Sequence, residues 1–154
     1  MNIITNEVNN LVELINKSNN IKEFYLNSQT YQLLLLTCVY NILWTYSLSE
    51  LLNNVSIIDR IWTILPLLYT FIATFDDVFK NYLVDGKFNM MSIVDERCLI
   101  LLNLQILWSI RLTYNTSRRG LLDLSYEDYR WPVLRSKLTK FQFKLLNLFC
   151  EYIV

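Results

Sequence analysis

The sequence predicts an all-α chain arranged as a multi-pass transmembrane helical bundle: three spans, the start of a fourth, and an N-terminal amphipathic helix. Three observations predict it. Hydrophobic residues make up 53% of the 154 positions and charged residues only 18%, which is charge-poor against ordinary soluble usage. Two long segments, residues 31–48 and 98–114, are almost free of ionised side chains. The charge is also lopsided. Eight of the fourteen Lys and Arg lie from Arg111 onward, against four of the fourteen acids. Beside apolar segments, such a bias marks membrane topology better than it marks a nucleic-acid stripe.

Taken in order, residues 1–29 form an amphipathic or disordered N-terminal segment, ahead of a membrane domain at 30–154. Val8, Leu11, Val12, Ile15 and Asn19 recur at helical spacing, without the basic start and compact apolar core of a signal peptide. Residues 31–48 hold no ionised side chain over eighteen positions. At about 1.5 Å rise per residue they approach a hydrocarbon core of roughly 30 Å. Residues 61–75 are a second span, kinked or accommodated at Pro66, with Asp59 and Arg60 near its watery end. Residues 76–97 read as a polar connection, with a turn at Gly86. The third span, 98–114, contains Asn103 and Gln105, amides expected to bond neighbouring helices. Residues 115–140 carry six basic side chains, which places this loop in the cytosol. Asn54-Val-Ser and Asn115-Thr-Ser match the glycosylation pattern but fall on the cytosolic side. Residues 141–154 begin a fourth apolar segment.

Composition excludes several chemistries. The chain has no histidine, so no Ser-His or Cys-His nucleophile and no histidine-ligated metal resides in it. Cys38, Cys98 and Cys150 form no C-x-x-C pair and sit in apolar runs, which reads as buried thiols rather than disulfides or a zinc site. Two glycines, Gly86 and Gly120, cannot build a glycine-rich phosphate cradle. Zero net charge suggests no polyanionic partner, and no nucleic acid.

The informative stretch is 114–132, YNTSRRGLLDLSYEDYRWP. If the third helix continues, Trp108, Arg111, Asn115 and Arg118 share one face, with Arg119 alongside. Guanidinium groups suit bidentate phosphate or carboxylate contacts, so this ladder is either an anion site for a nucleotide cofactor or a topogenic basic cluster. Glu127, Asp128 and Arg130 can pair with Arg118, Arg119 or Arg60, and Asp59 is expected to bridge to Arg118 or Arg119. Tyr129 and Trp131 supply apolar bodies with polar edges. Together these make a loop clamp or part of a ligand site.

IIDRIWTILPLLY, LWSIRLTYNTSRRG and EDYRWPVLR, in that order and spacing, resemble the N-terminal half of a family of uncharacterised multi-pass membrane proteins related to the steroid 5-alpha-reductases. The resemblance covers residues 31–149. Its signature positions here are Asp59, Arg60, Trp62, Trp108, Arg111, Asn115, Arg118, Arg119, Gly120, Glu127, Asp128, Tyr129, Arg130 and Trp131. The resemblance implies an integral protein of an intracellular membrane such as the endoplasmic reticulum. It also implies an NADPH-dependent reductase of an activated carbon–carbon double bond in a lipid, the protein supplying orientation. Asn115, Arg118, Arg119 and Arg130 are the residues it points to for cofactor binding, and no catalytic residue is assigned. The family's cofactor half carries an Arg-His-Pro-Asn-Tyr motif that a chain without histidine lacks. The expectation is therefore a truncated member that self-associates or pairs with a C-terminal half. The alternatives are a non-catalytic membrane interaction protein, or a fragment of a related methyltransferase using S-adenosylmethionine.

Overall fold

The computed structural model describes residues 2–18, 20–88 and 93–153. Asn19 and the Cys150 side chain, both named above, lie outside the described residues. Among the described residues there are eight helices and no strand: α1 (Asn2–Lys17), α2 (Ile21–Asn27), α3 (Thr30–Leu52), α4 (Ile57–Ile61), α5 (Leu65–Asp85), α6 (Glu96–Arg118), α7 (Arg130–Lys137) and α8 (Lys140–Ile153).

Local chemistry sets most of the boundaries. The Asn20 side chain accepts the Glu23 amide at 2.8 Å and starts α2. Gln29 and Gln32 cap the start of α3 reciprocally. That helix stops at Asn53, whose φ of 49° lies in the left-handed region that Asn tolerates. Pro66 sits in the first turn of α5, where its missing N–H costs nothing. Gly86, at φ 69°, ends the same helix. Asp95 caps α6 by accepting the Arg97 amide at 2.8 Å.

The all-α class stands, but the transmembrane bundle does not. Among the described residues no helix is long and apolar enough to cross a membrane. The apolar runs are interrupted by polar stripes that face the protein. On α3, Gln32, Thr45 and Ser49 are buried, while Tyr40, Leu43 and Trp44 are exposed. The second expected span is two helices, α4 and α5, broken before Pro66 rather than kinked at it. The segment at 76–97, expected to be a polar connection, is helical as far as Asp85, so α5 takes in Asp76, Asp77 and Lys80. On α6 the expected apolar run shares its helix with Glu96, Arg97, Arg111 and Arg118. Asn103 donates to Leu99 O of its own helix at 2.8 Å instead of bonding a neighbour. The assignment of residues 115–140 to the cytosol rested on those spans and falls with them. The thiols of Cys38 and Cys98 are free and half-buried rather than buried.

Packing runs through α3, which contacts α4, α5 and α8, while α5 also packs on α6. Polar bonds fasten these contacts. Asn147 of α8 donates to Ser49 Oγ of α3 at 2.8 Å. Ser109 of α6 donates to Thr63 O at 2.5 Å, in the link between α4 and α5. Asp76 of α5 accepts from both Thr30 and Lys80 at 2.7 Å, and Lys80 also donates to Ser28 O. A small apolar core of Val55, Ile58, Trp131 and Phe143, flanked by Leu134 and Leu138, joins α4 to α7 and α8. It lies beside the candidate site.

Candidate functional site

The site is built where the segment 54–60 meets the loop 121–131. The backbone of that loop has many carbonyls and no regular ladder, so side chains must satisfy them. Arg60, on α4, supplies most of the donors. Its Nε donates to Leu121 O at 2.6 Å, and its Nη2 donates to Asp123 O at 2.7 Å and Tyr126 O at 2.6 Å. The residue is buried, and among the described residues Nη1 is left without a partner. Burial lowers the guanidinium pKa from its ordinary value, with nearby Asp59 and Asp123 opposing the shift.

Asn54 repeats the device. Its Nδ2 donates to Leu124 O and Tyr126 O, both at 3.0 Å, and its Oδ1 accepts the Ser56 amide at 3.0 Å. The buried Ser56 Oγ accepts the Asp128 amide at 2.8 Å. Glu127 accepts the Val55 amide at 3.2 Å and takes both ends of the Arg135 guanidinium at 2.8 and 3.1 Å. Trp131 Nε1 donates to Asp59 Oδ2 at 3.3 Å. The bonds that cross between the two segments each span more than sixty residues of sequence and hold the segments against each other.

The clasp places the sequence-predicted residues in two groups. Asp59, Arg60, Glu127, Asp128, Arg130 and Trp131 all belong to it. The expected bridge from Asp59 to Arg118 or Arg119 is not made. Asp59 takes Trp131 Nε1, with Arg130 Nη2 at 4.0 Å. Nor do Glu127 and Asp128 reach Arg118, Arg119 or Arg60. Glu127 pairs with Arg135, and Asp128 with Arg130 at 2.7 Å. Shorter reach explains this: α7 brings its own arginines back over the loop. Tyr129 stays largely exposed and Trp62 partly so, and Gly120 follows α6 at φ 73°. Sequence reasoning missed Asn54, Ser56 and Arg135. Asn54 and Ser56 are buried polar residues in a link that reads as an ordinary loop.

The second group lies on α6. The helix continues to Arg118, so the predicted face forms. Trp108, Arg111, Leu112 and Asn115 line a cleft of about 250 Å³. Arg118 and Arg119 are exposed just beyond it. The side chains of Arg111, Arg118 and Arg119 make no hydrogen bond or ion pair among the described residues. This face is cationic and unpartnered among the described residues; the clasp sets Arg60, Arg130 and Arg135 against Asp59, Glu127 and Asp128 and is saturated, apart from Arg60 Nη1. Among the described residues no group of acidic or thiol side chains is placed to hold a metal ion.

The clasp has a pH signature. Hydrogen bonds from Arg130 hold the Asp128 carboxyl below its ordinary value of 3.8. A depressed folded pKa contributes stability that is present above the unfolded pKa and is lost as pH falls through the folded one. The unfolding midpoint in urea is therefore expected to be insensitive to Asp128 from pH 7 to 5. It should fall below about pH 4, the ordinary Asp value. Asp128→Asn should flatten that acid limb, measured by midpoints at half-unit steps from pH 5 to 2.5.

The chain is 33% identical over 149 residues to an uncharacterised protein of Schizosaccharomyces pombe. The match takes in 96% of this chain and 40% of the relative's length. No solved structure matches. The family model described as Protein of unknown function (DUF1295) matches residues 44–154, which include α4, the clasp and the arginine face. The chain belongs to that family.

Proposed function

We propose that the C-terminal end of α6 is an anion-binding face that takes the phosphates of a nicotinamide dinucleotide. The activity it serves is that of a longer family protein, a reductase related to the steroid 5-alpha-reductases. The observation that carries this reading is the division among the arginines. Arg130 and Arg135 are held by carboxylates and Arg60 by carbonyls, whereas Arg111, Arg118 and Arg119 are unpartnered among the described residues. Guanidinium forks match phosphate oxygens. Asn115 adds an amide in the same cleft, and Trp108 adds an aromatic wall.

The residues fit part of such a cofactor. A cleft of about 250 Å³ holds one end of a dinucleotide, and the exposed Arg118 and Arg119 lie where further phosphate oxygens would sit. NADPH, when bound, supplies a hydride for a double bond conjugated to a carbonyl. The role of this chain's residues is to bind and orient. Arg111 and Asn115 hold the near end, Arg118 and Arg119 neutralise charge, and the clasp fixes the loop that leaves α6 at Gly120.

A second reading follows from the clasp itself. Its bonds account for Arg60, Glu127, Asp128 and Trp131 as fold-holding groups without chemistry, as in a non-catalytic interaction protein. Calorimetric titration of the chain with NADPH and with pyrophosphate separates the two. Saturable binding is expected, weakened at least tenfold in an Arg118→Ala/Arg119→Ala double variant whose melting temperature is unchanged. Equal affinity for the double variant, or no binding of either anion, favours the interaction protein.

A further inference from the structure

A separate cleft of about 340 Å³ lies where the end of α3 meets the junction of α7 and α8. It is lined by Glu50, Asn53, Arg135, Leu138, Lys140, Phe143 and Lys144. It shares no residue with the α6 cleft. Leu138 and Phe143 belong to the apolar cluster beside the clasp, so an apolar wall runs from the opening toward the core.

The rim is charged with one sign in excess. Three cations and one anion line the cleft. Two of the cations are already matched. Lys144 Nζ lies 2.6 Å from Glu50 Oε2. Arg135 is fixed by Glu127 at 2.8 Å and stacks over the Phe143 ring at 5.0 Å. Lys140 has no hydrogen bond or ion pair among the described residues. One uncompensated positive charge thus stands at the mouth of an apolar cleft. It sits on the first residue of α8, whose helix dipole adds partial positive charge there.

We infer that this cleft binds a monoanionic amphiphile, its apolar tail against Leu138 and Phe143 and its carboxylate or phosphate-ester head on Lys140. A cavity of about 150 Å³ accepts benzene, so by proportion this cleft accepts a tail and head of about a dozen non-hydrogen atoms. A neutral amphiphile leaves the Lys140 charge unmatched, and a cationic one adds a like charge to it. A dianion exceeds the single free charge.

The test is titration of the purified chain with decanoate, with decanol as the uncharged control of equal chain length. Binding is followed by calorimetry and by the ring resonances of Phe143. Decanoate is expected to bind at least tenfold more tightly than decanol. Lys140→Glu should weaken decanoate at least tenfold while leaving decanol binding unchanged and the melting temperature no lower than the parent's. Decyl phosphate at pH 5, where it is a monoanion, should behave like decanoate. Equal binding of decanoate and decanol, an unaffected Lys140→Glu variant, or no binding at millimolar decanoate overturns the inference.

Discussion

Arg60→Ala is expected to destabilise the chain by about 3 kcal/mol, read from urea denaturation. Three carbonyls, those of Leu121, Asp123 and Tyr126, lose a charged donor together. Each such bond contributes about 1.5–3 kcal/mol in isolation, but bonds from one side chain are not additive. Removing the buried cation also relieves its desolvation, so the sum of the bonds overstates the loss. Arg60→Lys retains the charge and loses the planar fork. It is expected to recover less than half of the difference, since one ammonium cannot span three carbonyls spread over six residues. A lysine variant as stable as the parent would show that charge, rather than donor geometry, holds the loop.

Trp131→Ala is expected to cost about 3–5 kcal/mol, the range for emptying a buried aromatic site. The indole is buried among Val55, Ile58 and Phe143 and donates to Asp59 at 3.3 Å. Trp131→Phe separates the two contributions. It keeps most of the apolar contact and removes the donor, so a loss of about 1–2 kcal/mol is expected. Asp59→Asn should produce a smaller change than Trp131→Phe, because an amide oxygen still accepts the indole N–H. Unfolding midpoints for the three variants in one buffer check the order. Equal losses for Trp131→Phe and Trp131→Ala would place the effect in the hydrogen bond and not in packing.

The apolar runs made the helices legible, and their polar content made the membrane reading fail. Residues 31–48 read as a span because no charge interrupts them, yet Asn41, Thr45 and Ser49 recur at four-residue spacing along one face of α3. Facing inward, Ser49 meets Asn147 and Asn41 lies 3.4 Å from the Tyr69 hydroxyl. A periodicity taken over polar residues, not only apolar ones, would have shown a packed interior face. In sequence Pro66 reads as a kink, or an accommodated proline, inside a continuing helix, whereas a first-turn proline is the commoner use. Beyond Phe75, charged residues hid the helix, although Ile72, Phe75, Phe79 and Tyr82 keep helical spacing.

The candidate site divided differently. The shared face of Trp108, Arg111 and Asn115 follows from a period of 3.6 residues and forms as spacing implies. The partners of Asp59, Glu127 and Asp128 did not follow from sequence, because charge alone cannot say which of several arginines comes near. The Arg135–Glu127 pair depends on α7 folding back, which no local pattern announces. Asn54 carries a glycosylation pattern that hid its role. Its amide nitrogen is committed to two carbonyls inside the clasp.

The partition between locked and free arginines can be observed in one experiment. Arginine side-chain Nε–H resonances, recorded by NMR with and without pyrophosphate, report on each guanidinium separately. Arg60 should show slow exchange with water and no shift on adding pyrophosphate, because its Nε is spent on Leu121 O. Arg118 and Arg119 should exchange fast in the free chain and shift with saturation on titration. A shift at Arg60, or none at Arg118 and Arg119, would contradict the account.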